Sequence, residues 1–435
     1  MTHPLRTLLA LVGFFLFGLG SVTSVRAAEF LSSDERQQDF VAFCRFISEE
    51  YAYFSIKVTD WGRTCDHFSG EMPNATNREK YIGVLERALG QLYDSHAHLA
   101  TNTATSLRLI PSQADLMATW QDGRALITEI RPKSPAELAG LRVGDEVLAI
   151  NDIPVAQASA GLVPVFTRSQ DPAARDWALR AALAGRHDTN TIHLEVRSPS
   201  GHRKLAYAPS FLQADKLLTA VVRDRMGHIR VHNSLGAQAL VRDFDAALDK
   251  MLDAKALVID LRDTPGGGIS SVARGILGRL IDKELPYQRH ELVAEFRSTG
   301  IRRIWTEYVA PRASAFQGPV VVLVGPWTGS MGEGLAIGLN ATRGAPVLGR
   351  PMAHLLGALG EFTLPNSKIV VRIPVETLFH VDGSPRESFV PCPIKEKGGP
   401  SVHGDQELGA AFDLAKKLVR MKANKSIQRT PCVRR

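Results

Sequence analysis

Two predominantly apolar stretches, residues 256–261 (Asp260 aside) and 320–324, each run directly into a glycine-containing turn and then into a helix-like segment. A short strand so nearly free of polar positions is buried, and strands alternating with helices imply a sheet with helical cover. The surrounding pattern agrees. Ile229-Arg230-Val231 reads as a strand and 237–254 as a helix, with further helices at 272–280 and 331–340 after the two turns. This α/β texture begins near residue 215 and fixes the class of the larger half of the chain.

The 435 residues are too many for one ordinary core and suit two or three domains. The net charge of +7 is scattered, and its densest basic stretch is the tail from Lys416 to Arg435. No zinc-finger spacing, Walker loop or RNA-binding signature accompanies it, so no nucleic-acid partner is expected. Arg6 precedes an apolar run, 8–19, and then Val25-Arg26-Ala27. That order is a charged region, an apolar region and a small-x-small cleavage site, predicting a signal peptide over 1–28 and export to the periplasm or beyond. No later stretch is long and apolar enough to span a bilayer. The four cysteines, Cys44, Cys65, Cys392 and Cys432, suit an exported protein. They permit three pairings, of which proximity favours Cys44–Cys65 and Cys392–Cys432.

Residues 30 to about 100 read as helical, with Phe40, Phe43, Cys44 and Ile47 on one face. A second helix from Asn77 carries Ile82, Leu85, Leu89 and Leu92 and leads into Asp94-Ser95-His96-Ala97-His98. The texture then changes. A strand at 125–130 is followed by Ser134-Pro135-Ala136-Glu137-Leu138-Ala139-Gly140-Leu141-Arg142-Val143-Gly144-Asp145, a short helix and turn with positive φ expected at Gly140 and Gly144. This string resembles a PDZ domain, which binds extended peptides by strand addition. Strands at 192–196 and 204–208 would close its small barrel. A Gly-rich carboxylate-binding loop is not evident between Pro111 and Met117.

Ser330 stands at the mouth of a helix in Thr328-Gly329-Ser330-Met331-Gly332-Glu333, where backbone N–H groups favour a developing negative charge. A serine there is either a helix cap or a nucleophile. The stretch is not the Gly-x-Ser-x-Gly elbow of α/β-hydrolases, since Thr328 replaces the first glycine. With Asp260-Leu261-Arg262-Asp263-Thr264-Pro265-Gly266-Gly267, this turn resembles the signature of the S41 family of serine peptidases, the C-terminal processing and tricorn-like proteases. The order of helical segment, PDZ domain and core is also similar to that family.

The resemblance implies Ser330 as nucleophile, with Gly266, Gly267 and Met331 supplying oxyanion donors. The processing branch uses a lysine soon after the serine. Here 349–357 contains none, and the nearest downstream, Lys368, is expected within a strand. The tricorn-like branch uses a histidine beside a serine, and Ser95-His96 matches it. His96 is then expected as the base, ahead of His98 and His354, and Glu387 in Asp382-Gly383-Ser384-Pro385-Arg386-Glu387 as the orienting acid. Arg262 is expected to be a structural anchor, and Glu333 to serve its own helix N-terminus.

These readings predict a multidomain α+β chain: signal peptide 1–28, N-terminal helical domain 29–102, PDZ β-barrel-like domain 103–213, α/β protease core 214–422 and basic tail 423–435. The resemblance implies a ClpP/crotonase-like core that hydrolyses exported polypeptides, including unfolded or C-terminal segments, without metal or organic cofactor. The alternative is a catalytically degenerate peptide-binding scaffold.

Overall fold

The computed structural model describes residues 30–211, 214–232, 234–394 and 405–423. The expected signal segment, Cys432 and the end of the basic tail lie outside these residues. Three helices open the described chain: α1 (Ser33–Glu50), α2 (Trp61–Ser69) and α3 (Arg78–Gly90). Each begins at a polar cap. Ser32 and Glu35 form a reciprocal capping box on α1, while Asp60 and Asn77 accept N–H groups of α2 and α3. Phe40, Phe43 and Ile47 form the buried face of α1. Cys44 and Cys65 are disulfide-bonded, tying α1 to α2. A two-residue strand, β1 (His98–Leu99), ends the unit.

The second unit holds β2 (Leu116–Gln121), β3 (Arg124–Ile130), α4 (Pro135–Leu138), β4 (Glu146–Ile150), β5 (Ile153–Pro154), α5 (Val155–Ala160), α6 (Pro172–Ala184), β6 (Ile192–Ser198) and β7 (Gly201–Tyr207). Its sheet runs β2-β3-β4-β6-β7, with β5 paired to β4. Gly140 and Gly144 take φ of +97° and +91°, the left-handed turn conformation expected of them.

The rest comprises β8 (Leu218–Arg223), β9 (Met226–His232), α7 (Ala239–Asp249), β10 (Ala256–Asp263), α8 (Ser270–Leu277), β11 (Leu285–Leu292), α9 (Val293–Thr299), β12 (Arg303–Val309), β13 (Val320–Val324), α10 (Met331–Arg343), β14 (Val347–Gly349), β15 (Ala358–Thr363), β16 (Val370–Phe379) and α11 (Gln406–Ala423). One sheet runs β14-β13-β10-β9-β8, and β9, β10, β13 and β14 are mutually parallel. All five residues of β13 are buried, because α7, α8 and α10 cover one face and α11 the other. Arg262, at the end of β10, joins Asp260 to Asp405 and Glu407 beside α11, which is the anchoring expected of it.

A second, antiparallel sheet, β1-β16-β11-β12 with β15 on β16, was not foreseen. Its strands are half-polar, as in Leu285–Leu292, so no apolar run marks them. Lys368 is a correction: it precedes β16 in a turn with φ +58°, exposed, and donates to Pro365 O rather than lying within a strand. The N-terminal helices pack on this sheet, sharing a core with Leu364, Ile369, Val371 and Ile373. Asp39 of α1 accepts the N–H groups of Asn366 and Ser367, pinning the turn that leads into β16.

The bridge closes a loop of sequence separation 21. Cys44→Ser is expected to lower stability by about 3 kcal/mol on the chain-entropy account, read as a lower urea midpoint than wild type. An unchanged midpoint would show that the helices hold this geometry without the bridge.

Candidate active site

Parallel pairing of β10 with β13, in the register Leu257↔Val320 to Asp260↔Leu323, brings the two glycine turns out side by side at the carboxyl ends of the strands. Gly329 N–H donates to Thr264 O at 2.9 Å, and Thr328 Oγ1 donates to Leu261 O at 2.8 Å. Gly332 packs tightly on the first turn, since a Cβ there would meet Thr264 O at 3.0 Å. At the apex Ser330 has φ 52° and ψ −119°, a conformation that L-residues with a Cβ rarely adopt and that costs about 1–3 kcal/mol. The serine is thus held out from a strained strand-to-helix turn at the head of α10.

His96 comes from the other sheet. β1 pairs with β16 in the register His98↔Arg372, which sets the preceding Asp94–His96 turn against the head of α10. Asp94 steadies the turn by accepting His96 N–H at 2.9 Å, and Tyr51 Oη donates to the other Asp94 oxygen at 2.8 Å. The His96 ring is 5% exposed and lies with Nε2 3.1 Å from Ser330 Oγ. Its Nδ1 is 2.6 Å from Leu356 O. A carbonyl only accepts, so Nδ1 carries the proton and Nε2 is left as an acceptor facing the serine hydroxyl. Burial pushes the His96 pKa down to about 3, the Leu356 bond opposing this and the nearby Arg386 charge adding to it.

The other histidines are engaged elsewhere. His98 Nδ1 binds His96 O at 2.8 Å, and His354 Nδ1 binds Glu387 O at 2.7 Å. Glu387 requires a correction. It does not orient His96, because the Leu356 carbonyl occupies Nδ1. Glu387 reaches the site only through its main-chain oxygen, while its half-buried carboxyl is held above the usual range by desolvation. Ser95 lines the cleft beside His96.

Gly267 faces the serine so closely that a Cβ there would lie 3.8 Å from Ser330 Oγ. Among the described residues, the N–H groups of Gly266, Gly267 and Met331 donate to no protein acceptor. All three line the same cleft as Ser330 and His96, about 760 Å³ in volume and lined also by Gln288, His290 and Trp305. The arrangement therefore offers a hydroxyl, an unprotonated imidazole nitrogen and free backbone donors in one cleft.

Two further groups shape it. Glu333 is 1% exposed; it accepts N–H groups of Ser330 (2.8 Å), His354 (2.9 Å) and Leu355 (3.1 Å). Burial pushes its pKa up to about 7 despite these donors and Arg386. The tie to its own helix N-terminus was expected, the reach to 354–355 was not. Arg386, 4% exposed, donates to Leu355 O at 2.6 Å and Gly357 O at 3.0 Å. Sequence reasoning missed Arg386, whose only signal was its place beside Glu387, and Leu356, which contributes a backbone atom. Trp327 joins the Ser330-bearing turn to the second unit, its Nε1 donating to Ala114 O at 2.8 Å.

Residues 225–388 match Peptidase family S41 and residues 126–160 match the PDZ domain. The chain is 24% identical over 234 residues to the carboxy-terminal processing protease CtpB of Bacillus subtilis (strain 168), an alignment covering 50% of this chain and 44% of that protein. The match thus spans less than half the length of this curated relative. Among solved structures, mature CPAF complexed with lactacystin is similar at 16% identity and TM-score 0.55, over 90% of this chain and 98% of that one. The photosystem II D1 C-terminal processing protease is similar at 16% identity and TM-score 0.55, over 87% and 97%. At these identities the structural likeness is one of fold. The chain therefore carries a Peptidase family S41 domain, with a PDZ domain ahead of it in sequence.

Proposed function

We propose that this chain is a serine-type endopeptidase in which Ser330 is the nucleophile and His96 the general base. The observation that carries the reading is the 3.1 Å contact from Ser330 Oγ to His96 Nε2, in a tautomer fixed by the Leu356 carbonyl. Oγ attacks the peptide carbon as its proton passes to Nε2. The electron pair displaced onto the carbonyl oxygen faces the N–H groups of Gly266, Gly267 and Met331. Collapse breaks the C–N bond, and the amine leaves with the proton from His96. Water, deprotonated by the same nitrogen, then hydrolyses the acyl-enzyme and restores Ser330. The Leu356 carbonyl takes the place that a carboxylate holds in a Ser-His-acid triad.

The substrates are polypeptides, including unfolded or C-terminal segments, recruited or gated by the PDZ domain. The chain divides into signal peptide 1–28, helical domain 29–102, PDZ domain 103–213, a protease core of ClpP/crotonase-like type at 214–422 and a tail from 423. The charged-then-apolar N-terminus and the Cys44–Cys65 bridge support export, to the periplasm or as a secreted protein. One observation favours a second reading, a catalytically silent peptide-binding scaffold: among the described residues no carboxylate faces Nδ1 to stabilise an imidazolium.

A fluorophosphonate probe separates the two. Wild type is expected to label at one site, and Ser330→Ala and His96→Ala to lower the rate by a thousandfold or more, on the order seen when a triad member is removed. Absence of wild-type labelling would favour the scaffold. Glu387→Gln is expected to slow labelling far less than His96→Ala, since the Glu387 carboxyl does not touch the imidazole; equal losses would restore Glu387 to the triad.

The pH dependence has a defined sign. With its pKa lowered to about 3, His96 stays neutral and competent as pH falls through 6.5, where an ordinary histidine charges. The stability associated with a neutral His96 is complete above pH 6.5 and is lost as pH falls from 6.5 towards 3. A limb in the labelling rate near pH 7 belongs to Glu333, and Glu333→Gln should remove it. Persistence of that limb in the variant would assign it to another group.

A further inference from the structure

We propose that Arg386 is the positioning residue of this active site: its guanidinium grips the peptide carbonyls on either side of Leu356 and thereby aims the Leu356 carbonyl at His96 Nδ1. The inference rests on the reading of Ser330 and His96 as nucleophile and base. A carboxylate side chain that orients a catalytic histidine is fixed by its own rotamer and hydrogen bonds. A main-chain carbonyl has no rotamer, so its direction is set by whatever holds the adjoining peptide units. Here Nη2 of Arg386 donates to Leu355 O at 2.6 Å and Gly357 O at 3.0 Å, while the intervening carbonyl accepts from His96 at 2.6 Å. Carbonyls 355 and 357 converge on one donor atom, whereas the carbonyl between them is directed at His96. One donor atom holding 355 and 357 from one side turns 356 to the other.

The other end of the strip is held with equal economy of groups. The Glu333 carboxyl accepts the N–H groups of His354 and Leu355 and also that of Ser330. It couples the strip to the serine's own peptide unit and so governs the gap between Oγ and the imidazole. Gly357 has φ +56°, and a Cβ there would meet Glu376 O at 2.2 Å, so the backbone path between Leu356 and β15 has little freedom. Among the described residues Arg386 is the one charged donor on the carbonyls of this strip. It is buried among them, and it touches neither Ser330 nor His96 by any hydrogen bond.

Charge and geometry make opposite predictions, which renders the idea testable. The Arg386 charge lowers the His96 pKa. If Arg386 acted only through charge, its removal would leave His96 a stronger base and labelling as fast or faster. If it acts by position, labelling slows although the base is stronger.

The test compares full-length wild type, Arg386→Met and Arg386→Lys by fluorophosphonate labelling, separating the maximal inactivation rate from probe affinity. In both variants the maximal rate is expected to fall ten- to a hundredfold with affinity within about twofold, the pattern of a misplaced base rather than a lost binding contact. The His96 titration, followed by NMR of the ring nitrogens, should move to higher pH in Arg386→Met and stay near its wild-type position in Arg386→Lys. Folded variants that label at the wild-type rate or faster would overturn the proposal while leaving Ser330 and His96 to be judged by their own substitutions. Failure of wild type to label would remove the reading and this inference with it. If neither variant folds, NMR couplings across the hydrogen bonds from the Arg386 side chain to the Leu355 and Gly357 carbonyl carbons decide in wild type: their presence supports the grip, their absence refutes it.

Discussion

The parallel pairing of β10 with β13 is the constraint on which the rest of this molecule depends. Two buried strands running the same way must release their chains at the same edge of the sheet, so both glycine turns emerge together. The Gly329–Thr264 hydrogen bond and the tight approach of Gly332 to Thr264 weld those turns into one surface. The strain at Ser330 is tolerable only because both flanks, β13 behind and α10 ahead, are buried and fixed. Loosening either strand would let the serine relax towards an ordinary helix cap.

A second constraint brings the partner histidine. His96 belongs to a unit with its own disulfide and its own aromatic core, yet it is registered on the antiparallel sheet by only two residues of β1. The helices behind β1 share a core with β16, and Asp39 pins the turn before that strand. The site is thus assembled where two sheets of different kind meet. The parallel one supplies the serine and the glycine donors, and the antiparallel one supplies the imidazole and the carbonyl that fixes its tautomer.

How much of this is legible in sequence follows from how each element is written there. Strands buried on both faces, such as Val320–Val324, appear as unbroken apolar runs, and glycines at positive φ mark the turn around Gly140 and Gly144. The antiparallel sheet is nearly silent because one side of it is wet. Leu285–Leu292 reads as a mixture of proline, arginine, histidine and glutamate, and Lys368 looks like strand although it sits in a left-handed turn. At the site, Ser330 and His96 are visible as residue types at turns, and the structure brings them within hydrogen-bond distance. Glu387 stands out in sequence because residues 382–387 resemble the family's final turn. The group found at Nδ1 is an amide oxygen, which no residue identity encodes.

That substitution of backbone for side chain carries a consequence for heredity. Every amino acid at position 356 brings the same carbonyl, so no single codon change there deletes the group that faces Nδ1. A contact of this kind can drift in side-chain identity without leaving a trace in an alignment, and it is vulnerable only through neighbours that steer the main chain. A chain lacking the customary acid can therefore keep a correctly protonated histidine, and counting catalytic side chains would misjudge it.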